Sequence, residues 1–238
     1  MSIETLELVR SQSLTTAVRH ELERRILAGE FLPGAKLNEA DVAEALKVSR
    51  GPVREAFRAL EQAGLLRNEK NRGVFVRSLT HFEADELYEV RAGLDALIGR
   101  LAAERCTPPQ VDELKRLLKD MEKAARRRSV DDYYPLNVRF HDLLAQFTGN
   151  ATLVATYRRL VNELHLYRRE TLEHGPDSFP TSTHEHLAIV EAISRGDADK
   201  ASRLLHDHAM ESRERLHRTL DRPAIELPRP AAAKRRNA

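Results

Sequence analysis

Apolar residues recur at helical spacing from early in the chain. Leu14, Val18, Leu22 and Ile26 lie four apart, the separation that returns a side chain to one helix face, and Ala28-Gly29 closes the segment. A Pro-Gly turn follows within FLPGAKLNEADVAEAL. Asn38 then predicts an N-cap, Glu39 and Asp41 suit the positive end of the helix it opens, and Val42, Ala43 and Leu46 supply the apolar face. Lys47-Val48 makes a tight connection to Ser49, the expected cap of a third helix through SRGPVREAFRALEQAG, where Pro52 is tolerable only because it falls in the first turn. Gly64 ends that helix. The period then changes in LLRNEKNRGVFVRSL, which reads as an apolar strand, a polar turn at Asn71 to Gly73, and a return strand of Val74, Phe75 and Val76. The predicted order is helix, helix-turn-helix, hairpin.

The pattern shifts near Leu79. From there to Leu220 long amphipathic segments repeat, which sets the expected organisation at 1–78 for the first domain, 79–220 for the second and 221–238 for a flexible tail. In the tail, DRPAIELPRPAAAKRRNA has three prolines and no core-forming pattern. Leu87, Val90, Leu94, Leu97, Ile98 and Leu101 give the second domain's first helix its predicted core stripe. Thr107-Pro108-Pro109-Gln110 resembles a capping box and starts a second helix to about Arg127, and a third is expected from about Asp131 to Phe147. Gly149-Asn150 introduces a long fourth helix, and the loop GPDSFP precedes the last two. Ser182 and Glu185 have capping-box spacing, and Gly196-Asp197 separates the final pair. The expected fold is mainly α, with an all-α antiparallel bundle of six helices, or seven if the first segment breaks.

Composition narrows the class. At 238 residues the chain holds one to two domains, and 41% hydrophobic, 32% charged and 5% aromatic residues with no Trp fit a soluble helical protein. Cys106 stands alone, which excludes an intrachain disulfide and a CxxC zinc site; it reads as a small core residue rather than a nucleophile. The opening MSIETLELVRSQS does not read as a signal peptide, and no stretch approaches the roughly 18 apolar residues that cross a bilayer, so a cytoplasmic location is expected.

Net charge is only +2, but it is unevenly spread. Between Ala45 and Arg77, eight basic residues (Lys47, Arg50, Arg54, Arg58, Arg67, Lys70, Arg72, Arg77) face three acidic ones (Glu55, Glu61, Glu69). Arg50, Arg54 and Arg58 recur every four residues and so form a ridge of guanidinium groups on one helix face, suited to phosphates or guanine edges in a major groove. Any one of these arginines is as easily a solvated or ion-paired surface group. The row, beside a basic hairpin in a helix-turn-helix frame, points to double-stranded DNA.

The run LNEADVAEALKVSRGPVREAFRALEQAGLL followed by NRGVFV resembles the winged helix-turn-helix domain of the GntR regulators, and the helical remainder resembles the FCD effector domain of their FadR-like branch. Together they cover nearly the whole chain. The resemblance implies that Arg50 and Arg54 approach base edges or phosphates, that Arg58 contacts the backbone, and that the wing tip at Arg72-Gly73 reaches the adjacent minor groove. It implies a ligand-responsive transcription regulator, a homodimer on an inverted repeat, more often a repressor than an activator, with a small organic carboxylate as effector.

The helical domain carries its own candidate chemistry. Asn137 and His141 share a helix face, and His186 and His208 lie on two later helices, so three helices can bring one amide oxygen and three imidazoles together. Spacing alone leaves each as a satisfied core or surface group. The resemblance adds that FCD domains commonly bind a divalent metal through an acidic residue and three histidines at these positions. Asn137 departs from that pattern, since an amide brings an oxygen without charge. Three imidazoles favour zinc or nickel, with manganese or iron as alternatives. Arg91 matches an arginine often found in the first helix of this domain, which could clamp the acid's other end; a structural ion pair is an equal reading, and Asp95, near the family's usual glutamate position, could hold that arginine instead. His184 and His206 should point away from the cluster; His165 could enter the cavity from the long helix, though a solvated or capping role is the stronger reading, His174 is a bystander, and Tyr134 and Tyr167 could donate hydroxyls to an acid, with structural packing as the default. A metal-free effector domain is the leading alternative. A metal-dependent enzyme fused to a DNA-binding head ranks lower, because no HExxH segment or catalytic carboxylate supports it.

Overall fold

The computed structural model describes the backbone of residues 3–174 and 178–220, and the side chains of 13–165 and 179–218. The tail and the side chains of Tyr167 and His174 therefore lie outside the described residues. The elements run α1 (Ile3–Leu27), β1 (Lys36–Leu37), α2 (Glu39–Leu46), α3 (Arg50–Gln62), β2 (Leu66–Glu69), β3 (Gly73–Val76), α4 (His81–Arg105), α5 (Pro108–Arg127), α6 (Val130–Phe147), α7 (Ala151–His174), α8 (Ser178–Ser194) and α9 (Ala198–Leu220).

The N-terminal core forms where Val18, Leu22 and Ile26 of α1 meet Val53, Ala56, Phe57 and Leu60 of α3, all buried. Leu14, placed on the same stripe by spacing, is 40% exposed because it extends beyond that core. Asn38 caps α2 as expected, its Oδ1 accepting from Ala40 N at 2.9 Å, whereas Ser49 opens α3 without a side-chain capping bond. The hairpin registers Leu66 against Val76 and Glu69 against Gly73. A strand that no sequence pattern marks, β1, is also present: Lys36 and Leu37 pair with Phe75 and Val74, extending the sheet to the order β1-β3-β2. Two residues carry no alternation, so only the partner strand reveals this one.

Six helices, α4 to α9, build the second core, and α4 crosses α6, α7, α8 and α9 without breaking. Its start is fixed by a capping box that the sequence reading passed over. Glu83 N donates to Thr80 Oγ1 at 3.2 Å, while Thr80 N donates to Glu83 Oε2 at 2.8 Å. Thr107 and Gln110 are joined similarly at the head of α5, with Thr107 N donating to Gln110 Oε1 at 2.9 Å.

Two expectations are corrected. Ser182 and Glu185 do not cap α8, which starts at Ser178 and already includes them. The predicted core stripe of α4 is also displaced. Val90 is 55% and Leu97 41% exposed, while Leu87, Leu94 and Leu101 are only partly buried. The face turned fully inward consists of Ala84, Tyr88, Arg91, Ala92, Asp95, Ile98, Gly99 and Ala102. Two charged residues cancel each other there, so a hydrophobic count misses the inward face.

Gly99 shows how closely that face packs. A Cβ there would stand 2.4 Å from the Ala201 carbonyl oxygen of α9, so only glycine permits this crossing. The two domains also touch. At the end of α3, Asn162 Nδ2 of α7 donates to Ala63 O at 3.2 Å, and Arg77 pairs with Glu163 at 3.3 Å. Gly64, at φ +79°, turns the chain so tightly that a Cβ would meet Glu163 Cγ at 2.6 Å.

Candidate metal centre and nucleic-acid interface

Helices α6, α8 and α9 bring His141, His186 and His208 into one buried cluster, with one nitrogen from each lying within 4.8 Å of the others. His141 Nε2 and His208 Nε2 are 3.2 Å apart. Two imidazole nitrogens each about 2.0–2.1 Å from a shared ion would stand at about that separation. Phe140 packs against His186 with ring centroids 4.4 Å apart and closes one side. Asn137, one turn before His141, is buried, and its Oδ1 has no hydrogen-bond partner among the described residues. A buried carbonyl oxygen without a donor costs about 1–3 kcal/mol unless a cation or water meets it. Three neutral nitrogens and this oxygen fit a borderline divalent metal, which would act there as a Lewis acid and anchor for an anion.

One participant escaped the sequence reading. Glu185 Oε2 lies 2.6 Å from His208 Nδ1, and Arg215 of α9 donates to both oxygens of the same carboxylate at 2.9 and 3.1 Å. The signal was present as the adjacent pair Glu185-His186, but capping-box spacing assigned the glutamate elsewhere. His184 and His206 are exposed and point away, as expected. His165 is corrected: it is neither solvated nor a cap, but buried, with Tyr134 Oη 2.6 Å from its Nδ1 and donating to its carbonyl at 2.9 Å.

Arg91 is fully buried on α4 and its Nε is 3.1 Å from Asp95 Oδ2. Burial works against its charge, but Asp95, then the Tyr157 and Tyr88 hydroxyls, outweigh burial and hold the guanidinium pKa above its ordinary value. Arg91 is cationic at any physiological pH, and Asp95 is its counter-ion.

On the other domain the arginine row is exposed and partly occupied. Arg54 forks onto Glu39 of α2 at 3.0–3.2 Å, which holds the Glu39 carboxyl below its usual range. Arg58 donates to Glu55 at 2.8 Å, Arg72 pairs with Glu69 and lies over the Phe75 ring, and Arg50 is exposed at the start of α3. The ridge of Arg50, Arg54 and Arg58 thus stands exposed on α3, and Arg72 stands exposed at the hairpin turn. Surface pairs of this kind are weak, being screened by solvent, and yield readily to a polyanion.

Among the described residues no helix is long and apolar enough to cross a membrane. Residues 14–76 match the family model of bacterial regulatory proteins of the gntR family, and residues 86–211 match the FCD domain. The HTH-type transcriptional regulator YdhC of Bacillus subtilis is 31% identical over 203 residues, covering 85% of this chain and 90% of that protein. The HTH-type transcriptional repressor RspR of Escherichia coli is 28% identical over 213 residues, covering 89% and 92%. A GntR transcriptional regulator from Rhodococcus sp. RHA1 superposes with a TM-score of 0.72 at 28% identity, covering 86% of this chain and 98% of its own. Escherichia coli McbR/YncC shares the fold at a TM-score of 0.78 and 21% identity, with 87% and 99% covered. With a helix-turn-helix head, an FCD bundle and relatives matched nearly end to end, the chain belongs to the GntR family and is a DNA-binding transcription regulator with an FCD effector domain, not an enzyme.

Proposed function

We propose that the protein is a cytoplasmic homodimer that represses transcription from an inverted repeat and leaves its operator when a small organic carboxylate binds beside a metal ion in the helical domain. The observation that carries this reading is the buried cluster of His141, His186 and His208 with the unpartnered Asn137 oxygen. Zinc or nickel suits these donors best, with manganese or iron next. One end of the acid takes an open position on the metal, and Arg91 receives the other in place of part of its contact with Asp95. Arg50 and Arg54 read base edges or phosphates, Arg58 holds the backbone, and the Arg72-Gly73 tip enters the minor groove.

Dimerisation has a candidate surface. Leu87, Val90, Leu94, Leu97 and Leu101 recur at alternating spacings of three and four along α4, and Val90 and Leu97 stand exposed. Coupling has a candidate route. The α7 helix holds His165, bonded to Tyr134 of α6 one turn before Asn137, and also Asn162 and Glu163, which grip the end of α3 and Arg77. A ligand that moves α6 relative to α7 therefore biases how the heads sit.

Binding to an inverted repeat and to a shuffled duplex of equal composition, compared across a salt series, tests the first half. Specific regulation requires the repeat to win at every salt concentration; equal affinity throughout overturns it. A thermal-shift screen of small organic acids on zinc-loaded protein tests the second. A metal-free reading is supported by the His141–His208 contact at 3.2 Å, which an ordinary hydrogen bond explains. It predicts acid binding that survives chelation, whereas the metal reading predicts its loss.

A further inference from the structure

His208 has two ring nitrogens and they face different partners. Nε2 points at His141 across the cluster at 3.2 Å, while Nδ1 meets Glu185 Oε2 at 2.6 Å. An ionised carboxylate only accepts hydrogen bonds, so it draws the imidazole proton to Nδ1 and leaves the Nε2 lone pair aimed at the centre. The carboxylate is itself fixed. Arg215, two helical turns after His208 on α9, donates to both of its oxygens and also to Ser212 Oγ at 3.1 Å. Ser212 Oγ in turn donates to the His208 carbonyl at 2.9 Å, closing a ring of four residues that includes the histidine itself. Helix α8 thus supplies a cluster member, His186, and with the preceding residue reaches around to the far side of His208.

We propose that Glu185, held by Arg215, is a positioning residue that presets His208 as an Nε2 ligand and raises the affinity of the centre for a divalent metal. This rests on reading the histidine cluster as a metal centre. The neighbouring carboxylate makes the imidazole a better donor and removes the need to reorient the ring on binding, and loss of such a group typically costs 10–100-fold in metal affinity. In this role Glu185 acts through His208.

The test uses the untagged full-length chain, stripped of metal, with zinc alone as the probe. Zinc affinity is measured by competition with a chromophoric chelator for wild type, Glu185→Ala, Glu185→Gln and His141→Ala, and the His208 tautomer of the metal-free proteins is read from long-range proton–nitrogen NMR correlations. Wild type is expected to show the Nδ1-protonated form. Glu185→Ala should lose that preference and bind zinc about 10–100-fold more weakly, with Glu185→Gln, which keeps an acceptor oxygen but not the charge, in between. A purely structural role for Glu185 would leave the tautomer unchanged. Zinc binding within twofold of wild type in both Glu185 variants, with His141→Ala impaired, overturns the inference alone. A wild-type chain that binds no zinc overturns the metal reading and this inference with it. If Glu185→Ala does not fold, Glu185→Gln, of the same shape, decides by the same twofold criterion.

Discussion

The crossing of α4 and α9 holds the polar centre together, and one methyl group tests it. In Gly99→Ala the new Cβ would lie 2.4 Å from the Ala201 carbonyl oxygen, 2.7 Å from its carbonyl carbon and 3.0 Å from Ser202 N. All three are backbone atoms of α9, so no side chain can swing aside, and ordinary contact requires the helices to part by about 1 Å. Overpacking of this kind costs about 1–3 kcal/mol. The substitution also gains helix propensity, roughly 1 kcal/mol for alanine over glycine mid-helix, so the net destabilisation is about 0–2 kcal/mol, up to about 8 °C in a domain of this size. The shift also carries His208, two turns beyond Ala201, away from His141, so metal affinity should fall even where stability barely changes. Gly51, at the start of α3 with nothing within 4 Å of its would-be Cβ, supplies the control: Gly51→Ala should be neutral or stabilising. Thermal unfolding followed by far-UV circular dichroism and zinc competition read the two effects. A Gly99→Ala protein at least as stable as Gly51→Ala, with wild-type zinc affinity, refutes the reasoning.

Other outcomes follow from the same contacts. Arg91→Ala removes the guanidinium that faces the Asp95 carboxylate at 1% exposure and should cost about 3–5 kcal/mol in denaturant unfolding, most of it recovered in the double variant Arg91→Met/Asp95→Leu; no recovery would mean the pair is not mutually compensating. Glu39→Gln releases Arg54 from an exposed, solvent-screened pair, so duplex affinity at low salt should rise modestly, by up to about fivefold, and a fall would contradict an Arg54–phosphate contact. Because Arg54 lowers the Glu39 carboxyl, this pair's small contribution to stability is present above the ordinary value of 4.5 and is lost as pH falls through the lowered one; a wild-type minus Glu39→Gln difference that grows toward acid reverses that sign. Burial pushes the Cys106 thiol up to about 11, so its alkylation by iodoacetamide at pH 8 should be at least about tenfold slower than that of free cysteine.

The head was legible because its signals are local. Asn38, Pro52, Gly64 and the Asn71 to Gly73 turn each act within a few residues of the boundary they set, and the hydrophobic stripe of α1 packs mainly on α3. Only β1, defined by a strand almost forty residues later, escaped. The bundle was harder. On α4 the most apolar face is not the inward one: Arg91 and Asp95 turn inward while Val90 and Leu97 face out. A buried ion pair satisfies itself, and no spacing rule distinguishes it from a surface pair four residues apart. Helix period places Asn137 and His141 on one face, but only the resemblance to FCD domains joins His186 and His208 to them, since nothing in the spacing of three separate helices brings their histidines together. Glu185 and Arg215 were missed because their meeting depends on how α8 and α9 pack, a tertiary fact.

Metal content decides the central claim most directly. Protein purified without an affinity histidine tag and without added metal should hold about one equivalent of zinc or nickel per chain by elemental analysis, falling below about a tenth of an equivalent in His141→Ala and His208→Ala. A wild-type chain with no stoichiometric metal, whose acid binding is unchanged in both variants, would contradict it.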